Sequence, residues 1–214
     1  MKTGVFRTDQ VECYNSNGAL IPCEGTGQDG AVRAGAKGVA DLKCSGQQMC
    51  FNDSAEVIAQ RNKGQDQAPQ TGAARSELRF LDQGEIVLDT LTGLVWTRAA
   101  VCTMEPLSWQ LALDAVKAMN AAQAWGCNDW RLPNIRELES LTDMCSHTPA
   151  LPVDHPFDEV QEWYWSSTTS RYDPRYAWVL YTVDGAVGVG YKPRHSFFAW
   201  AVRLGRGCPQ HSKR

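Results

Sequence analysis

The spacing of hydrophobic and polar residues changes along the second half of the chain, and each spacing predicts a different element. Alternation in "GEIVLDTLTGLVWTR" predicts two strands joined by the turn "TLTG". Apolar residues three and four positions apart in "LSWQLALDAVKAMNAA" predict an amphipathic helix with Ser108 as its N-cap. The apolar stripe of that helix is expected at five positions: Leu111, Ala112, Ala115, Val116 and Met119.

A second helix is predicted within "NDWRLPNIRELESL", residues 128–141. Asn134 is a good N-cap, and Glu137 three residues later completes a capping box. The helix is therefore expected from about Ile135 to about Cys145. Three apolar residues would share its buried face: Ile135, Leu138 and Leu141.

The residues just before this helix could form either an active site or a structural contact. Trp130 is expected in the core, and Arg131 is expected to pair with a carboxylate such as Asp129 or Asp143. The structural interpretation is favoured, because ion pairs that only support a fold also occupy such places.

After Pro156 the pattern changes to a period of two, which is typical of strands. The segments "YWSSTTS", "YAWVLYTV", "AVGVGYK" and "FAWAVRLG" are separated by the turn sequences "RYDPR", "DG" and "KPRH". A hairpin, two helices and several antiparallel strands make an α+β domain, expected over residues 79–208 with a short tail at 209–214.

Residues 1–78 are different, since they are rich in Gly, Gln, Asn and Asp and poor in large apolar side chains. "YNSNGALIPCEGTGQDG" predicts a hairpin and turns with "SNG" and "QDG" at the tips. A short helix is predicted in "DSAEVIAQR", capped by Asp53 and Glu56, and an exposed linker in "NKGQDQAPQTGAAR". This small Cys/Gly-rich region would need disulfides and would pack on the following domain or on a neighbouring chain.

Charge and hydropathy exclude two classes of partner. The net charge is −3 and no dense Lys/Arg block is present, so we do not expect a nucleic-acid partner. No apolar run reaches the roughly 18 residues of a membrane span. The start "MKTGVFRTDQ" has no apolar segment typical of a signal peptide, so the protein is either cytosolic or has already lost a leader.

The cysteines favour the second of these alternatives. All eight are spread singly, without a C-x-x-C pair or a histidine at ligand spacing, which indicates disulfides in an oxidising compartment rather than zinc. We therefore expect a secreted or cell-surface protein without a free thiol. Pairing by proximity suggests Cys13–Cys23, Cys44–Cys50, Cys102–Cys127 and Cys145–Cys208, although many connectivities are open.

Six motifs occur in an order that resembles a known family: "DTLTGLVWTR", "LSWQLALDA", "DWRLPNIREL", "YWSSTTS", "AWVLYTVDGAVGVGYK" and "AVRLGR". Residues 80–206 are similar to the bacterial domain family named after the C-terminal domain of the Legionella collagen-like protein, and "CYNSNGALIPCEGTGQDG" resembles what often precedes that domain. The resemblance implies a C-type-lectin-like fold, a surface or secreted protein, and ligand binding. The name-giving member is an adhesin for sulfated glycosaminoglycans, but the resemblance does not transfer a particular ligand.

Within that family the D-W-R-L-P-N-x-x-E-L stretch is the fold signature, which agrees with a structural role for residues 129–138. Three tryptophans are expected as core partners, namely Trp96, Trp165 and Trp178. For Trp178 exposure stays an equal alternative, because it alternates with its neighbours along the predicted strand.

The sequence gives little support for an enzyme. There is no nucleophile elbow, phosphate loop or zinc signature. "DHPFD", with Asp154, His155 and Asp158, is more typical of a capped loop than of a metal or acid–base site. The calcium-binding motifs of lectins are absent, and Cys208 stands alone where a sulfatase-modifying enzyme needs reactive cysteines. We expect neither catalysis nor a cofactor; a structural calcium has no support in the sequence.

The best candidate binding surface comes from "SRYDPRYAW" and "GYKPRHSFF". The turn "VDG" predicts a hairpin between them, which would make the two segments neighbours in space. Tyrosine and arginine dominate recognition surfaces, and arginine binds sulfate and carboxylate groups well. The candidate ligand-binding residues are Arg171, Tyr172, Arg175, Tyr176, Tyr191, Lys192, Arg194 and His195. Ordinary solvated loops are an equally open interpretation of the same residues.

Two classes of function follow. The first is a surface binding module or adhesin for an anionic glycan or a protein, with a retroelement-diversified binding protein as a close variant. The second is a structural subunit of a surface filament or pilus, in which residues 1–78 would contact other subunits. A homo-oligomer fits either class.

Overall fold

The structure is a computed structural model that describes Thr8 and residues 10–29, 50–51, 54, 57–58 and 79–205. The predicted linker at 62–75, the caps Asp53 and Glu56, and the tail at 209–214 lie outside the described residues. The described residues form an α+β arrangement of antiparallel sheets and two α-helices, as the sequence pattern predicts.

A four-stranded antiparallel sheet forms one side of the domain. Its strands are β5 (Phe80–Asp82), β6 (Ile86–Asp89), β7 (Leu94–Thr97) and β11 (Val202–Leu204), in the order β11-β7-β6-β5. The predicted "TLTG" turn joins β6 to β7, where the N–H of Gly93 donates to the carbonyl of Asp89 at 2.8 Å. Because β11 pairs with β7, the C-terminal end of the domain closes the sheet that its first hairpin begins.

Helix α1 spans Trp109–Ala121 and follows the N-cap Ser108, whose side chain makes no capping hydrogen bond. The predicted apolar stripe was partly wrong. Ala112 and Val116 are buried, whereas Leu111 is exposed. Trp109 and Leu113 take the remaining buried positions, because the indole N–H of Trp109 donates to the carbonyl of Ser166 and fixes the rotation of the helix.

Helix α2 spans Ile135–Leu141 and has the predicted capping box, with Asn134 and Glu137 each bonded to the other's backbone N–H. The helix is shorter than expected, because Thr142 is already extended. The N–H of Asp143 donates to the carbonyl of Ala150 instead of continuing the helical ladder. The three predicted apolar residues of this helix are all buried: Ile135, Leu138 and Leu141.

The second sheet has the order β10-β9-β8, with β8 at Trp163–Thr169, β9 at Tyr176–Tyr181 and β10 at Val187–Tyr191. All three strands were predicted from the period of two. The register of β8 against β9 shifts between Trp165 and Thr169, so the polar half of β8 leaves the regular ladder.

Tryptophans fill the core between the two sheets and the helices. Trp96 and Trp200 pack with ring centroids 5.2 Å apart, and Trp165 packs against Phe197 at 4.6 Å. Trp130 is buried as expected in a cluster with Val95, Val116, Cys127 and Ala201. Of the two alternatives for Trp178, exposure is the one observed: its side chain lies on the outer face of β9 and is 36% exposed.

In the N-terminal region, β1 (Cys13–Tyr14) and β2 (Leu20–Ile21) form the predicted hairpin, with Gly18 at a φ of 81° in its turn. The second predicted tip was wrong: Gln28 and Asp29 are buried. The helix predicted in "DSAEVIAQR" was also wrong, because β4 (Val57–Ile58) pairs with β3 (Cys50–Phe51). Two consecutive β-branched residues favour the extended form there.

The disulfide predictions have mixed outcomes. Cys13 and Cys23 form the expected bond. The pairing Cys102–Cys127 was wrong: Cys102 is a free thiol, whereas Cys127 is disulfide-bonded. The prediction of no free thiol fails with it. The other two suggested pairs involve Cys44 and Cys208, which lie outside the described residues.

Candidate functional site

The predicted hairpin brings the two candidate segments together at one end of the second sheet. Strands β9 and β10 pair with Tyr176 opposite Tyr191, whose ring centroids are 5.1 Å apart. Beyond that pair, the N–H of Lys192 donates to the carbonyl of Arg175 at 2.9 Å. We call the surface formed by residues 171–176, 191 and 194–195 the hairpin-end surface.

Two of the four candidate cations on this surface are already paired with acids. Arg175 donates through Nη2 to Asp173 at 2.6 Å, and through Nε to the same carboxylate at 3.0 Å. Hydrogen bonds from Arg175 lower the pKa of Asp173. Arg171 forms an ion pair with Glu12 of the N-terminal hairpin. The surface is therefore less basic than the sequence predicts.

Lys192 does not belong to the surface, which corrects its predicted role. Its side chain is only 1% exposed and points inward. Nζ lies 3.8 Å from the centroid of a Trp109 ring and donates to Oγ1 of Thr169 at 2.9 Å. Because burial disfavours the ammonium, the pKa of Lys192 falls to about 7.

The remaining candidate residues are accessible. Tyr172 is 100% exposed, and the rings of Tyr176 and Tyr191 are half-buried against each other. Arg194 and His195 are exposed, and Nδ1 of His195 accepts from the N–H of Tyr191 at 2.9 Å. That hydrogen bond orients the imidazole and holds the loop after β10.

The aromatic surface continues along the outer face of the sheet. Trp178 lies two residues after Tyr176 and pairs across the strands with Val189, which is also exposed. Side chains two residues apart on a strand share a face. Trp178 and Val189 therefore extend the hairpin-end surface as a row of apolar contacts, although neither residue was among the predicted site residues.

Sequence reasoning also missed the contribution of the N-terminal hairpin. The Tyr14 hydroxyl donates to Glu12, and this bond lowers the pKa of the Glu12 carboxyl, as does Arg171. A Cβ at Gly18 would lie 2.7 Å from Cγ of Arg175, so the turn of the hairpin rests on the loop before β9. No local signal could reveal the contacts of this hairpin with Arg171, because 157 and 159 residues separate Arg171 from Tyr14 and Glu12.

Beneath the surface lies a layer of buried polar groups on the second half of β8. Thr168 donates to the buried carboxylate of Asp29 at 3.1 Å, and the Thr169 N–H donates to Oε1 of Gln10 at 2.7 Å. Burial raises the pKa of Asp29, although Thr8 and Thr168 both donate to it. The N-terminal residues thus cover this part of the sheet. Of the two alternatives, packing on the following domain or on a neighbouring chain, the first is the one observed.

The signature before α2 sits behind this layer. Arg131 donates to both carboxylate oxygens of Glu137 at 2.6 Å, and both side chains are buried. The predicted partners Asp129 and Asp143 were wrong. Asp129 instead accepts from Nε of Arg203 at 2.6 Å on β11. The Glu137 carboxylate also accepts from the N–H of Asn134, so one acid serves both the ion pair and the helix cap.

Comparison with known families matches residues 85–203 to the Lcl C-terminal domain. The match covers more than half of the 214 residues and includes both helices and β8 to β10. The chain belongs to this family. No curated protein and no solved structure showed significant similarity to it.

The boundaries of the Lcl C-terminal domain leave out residues that the fold uses. The match starts at residue 85, after β5 and after the N-terminal hairpin that covers β8. Arg79, also outside the match, donates to Asp89 of β6 at 2.7 Å with both side chains buried.

Within the described ranges, no group of three or more His, Cys, Asp or Glu side chains has the arrangement of a metal site. No helix of the Lcl C-terminal domain, or of the other residues described, has the length and apolar character needed to cross a membrane. In the "DHPFD" loop, Asp158 pairs with Arg98 at 2.9 Å, and burial lowers the pKa of His155.

Proposed function

We propose that this chain is a ligand-binding module of a bacterial cell-surface or secreted protein, with a C-type-lectin-like fold. The observation that carries the proposal is the hairpin-end surface. It presents aromatic and arginine side chains on a sheet end that buried hydrogen bonds hold in place. Membership of the Lcl C-terminal domain family supports a surface-related role.

The composition of this surface suits a glycan that carries acidic groups. Tyr172, Tyr176 and Trp178 offer rings for stacking on sugars, and such rings lose little conformational entropy on binding. The arginines can hold sulfate or carboxylate groups in bidentate contacts. Three arginines face two acids, Glu12 and Asp173, so the surface keeps a small positive excess.

Because the Arg171 and Arg175 ion pairs are solvent-exposed, they are weak and an anionic ligand can compete for them. Binding of this kind should weaken as salt rises, since exposed charges are screened over roughly 8–10 Å. The expected affinity is moderate, because each arginine must exchange one acid for another.

The test is retention on immobilised heparin in a salt gradient. A variant with Arg171, Arg175 and Arg194 changed to Ser should elute at lower salt than the native protein. A matched control changes Arg98, Lys117 and Arg136 to Ser, which removes the same charge at exposed ion pairs elsewhere. The control should elute close to the native protein after allowance for net charge.

Equal elution of the two variants would reject the hairpin-end surface as a site for anionic glycans. A protein partner or a role in a surface assembly would then be the better account. Particle size at high protein concentration would separate these two, because an assembly subunit associates with itself.

A further inference from the structure

The buried polar layer contains an arrangement that the binding proposal does not use. Oγ1 of Thr169 lies 2.9 Å from Nζ of Lys192, and both side chains are buried. Among the described residues, no carboxylate forms an ion pair with this lysine. A hydroxyl next to an amine without an acidic partner is one of the known pairings of a nucleophile with its base.

The same threonine also contacts a carbonyl group. Its own N–H donates to Oε1 of the Gln10 side-chain amide at 2.7 Å. In serine proteases, the N–H of the nucleophilic residue likewise forms part of the oxyanion hole that polarises the carbonyl under attack. The amide nitrogen of Gln10 is held separately, by donation to the carbonyl of Glu12 at 2.8 Å.

Burial determines what such a group can attack. Thr169 and Lys192 are covered by Trp109 and by the N-terminal residues, so an external substrate has no access to them. The carbonyl held against Thr169 belongs to the chain itself. We propose that Thr169 and Gln10 form an intramolecular ester cross-link, with Lys192 as the general base.

The atoms of this reaction balance without an oxidant or cofactor. Neutral Lys192 takes the hydroxyl proton of Thr169, and Oγ1 bonds to Cδ of Gln10. The Cδ–Nε2 bond breaks, and Nε2 leaves as ammonia after taking the proton back from Lys192. The Thr169 N–H stabilises the negative oxygen of the tetrahedral intermediate.

Two features of the surroundings support the step. Burial lowers the pKa of Lys192 to about 7, so a large fraction of the amine is neutral at physiological pH and can accept a proton. The same burial keeps water from the product, which protects an ester that water would otherwise hydrolyse. The cross-link would fasten the N-terminal hairpin, and with it Glu12 and Tyr14, to the hairpin-end surface.

The test is the intact mass of the full-length chain after reduction and denaturation in acid, where esters persist. The native protein should be lighter than its sequence by the mass of one ammonia, and Thr169→Val and Lys192→Met should both lose that deficit. Peptide mapping should find one linked pair that contains Gln10 and Thr169, and hydroxylamine should cleave it.

Two controls separate the proposal from other losses of ammonia. Asn17–Gly18 can form a succinimide with the same loss, so Asn17→Ala should keep the deficit. A linked peptide that survives hydroxylamine would be an amide from Lys192 and would overturn the ester. A native protein with the full sequence mass and no linked peptide would overturn the proposal without any variant.

Discussion

Two arginine–carboxylate contacts in this molecule have nearly the same geometry and opposite surroundings. Arg131 and Glu137 meet at 2.6 Å beneath α2, and Arg175 and Asp173 meet at 2.6 Å on the hairpin-end surface. The first pair is buried, whereas Arg175 is exposed. The comparison teaches that an ion pair says little about function until its burial is known.

The buried pair supports the fold, because it has no water to replace a lost partner. Burial alone would lower the pKa of Arg131, but the Glu137 carboxylate raises it above its ordinary value. The exposed pair can exchange its partner for a ligand at small cost. The same residue types therefore serve stability in one region and recognition in the other.

The largest difference in stability is expected between two single variants, Trp130→Ala and Tyr172→Ala. Trp130 is 2% exposed and packs in the cluster behind the signature. Truncating a buried tryptophan costs about 3–5 kcal/mol. Tyr172 is fully exposed, so its removal should leave stability unchanged and weaken ligand binding. Urea unfolding measures the loss of stability in Trp130→Ala. If Trp130→Ala keeps native stability but no longer binds the ligand, the signature is a binding site rather than a structural element.

The next largest difference in stability is expected between variants of the two ion pairs. Glu137→Gln leaves the Arg131 charge buried without compensation, which costs about 3 kcal/mol at the lower end of the range for such pairs. Asp173→Asn removes the matching acid from the exposed pair and should leave the unfolding midpoint almost unchanged. Equal shifts in the midpoint of urea unfolding would contradict the contrast between the two regions.

Lys192 should make stability depend on pH. Its pKa falls from 10.5 to about 7 on folding, so the unfolded chain binds more protons between these values. The cost of the buried ammonium is fully present below pH 7 and is relieved as pH rises, by about 2 kcal/mol or more. Lys192→Met should remove this rise, whereas the exposed Lys117→Met should keep it. Parallel stability–pH curves for the native protein and Lys192→Met would refute the buried, unpaired amine.

The smallest effect concerns a thiol. Burial raises the pKa of Cys102 to about 12, so it should not react with a thiol reagent at pH 8 in the native protein. Denaturation without reductant should expose it, and Cys102→Ser should lower the measured thiol count by one. A count one higher in denatured Cys102→Ser than in the denatured native protein would instead show a disulfide at this position, because the substitution would free the partner thiol.

Local patterns predicted much of the fold. The "TLTG" hairpin, the capping box of Asn134 and Glu137, and the strands β8 to β10 all follow from residues a few positions apart. The hairpin-end juxtaposition of Tyr176 and Tyr191 was also predictable, because a turn between two strands fixes which residues face each other.

Contacts between distant residues were not predictable in the same way. The sequence suggested Asp129 or Asp143 as partner of Arg131, and the observed choice of Glu137 depends on how α2 packs. The burial of Lys192 depends on Trp109 and Thr169, and the pairing of Arg171 depends on Glu12.

The sequence by itself therefore determined most of the elements of residues 79–205, their order and the family of this protein, because each depends on the spacing of residues a few positions apart. Only the tertiary structure decided which polar residues are exposed and which are paired. The physical reason is that burial and ion pairing depend on how segments far apart in the sequence pack against each other. A candidate set of four surface cations became two exchangeable ion pairs, one exposed arginine and one buried amine.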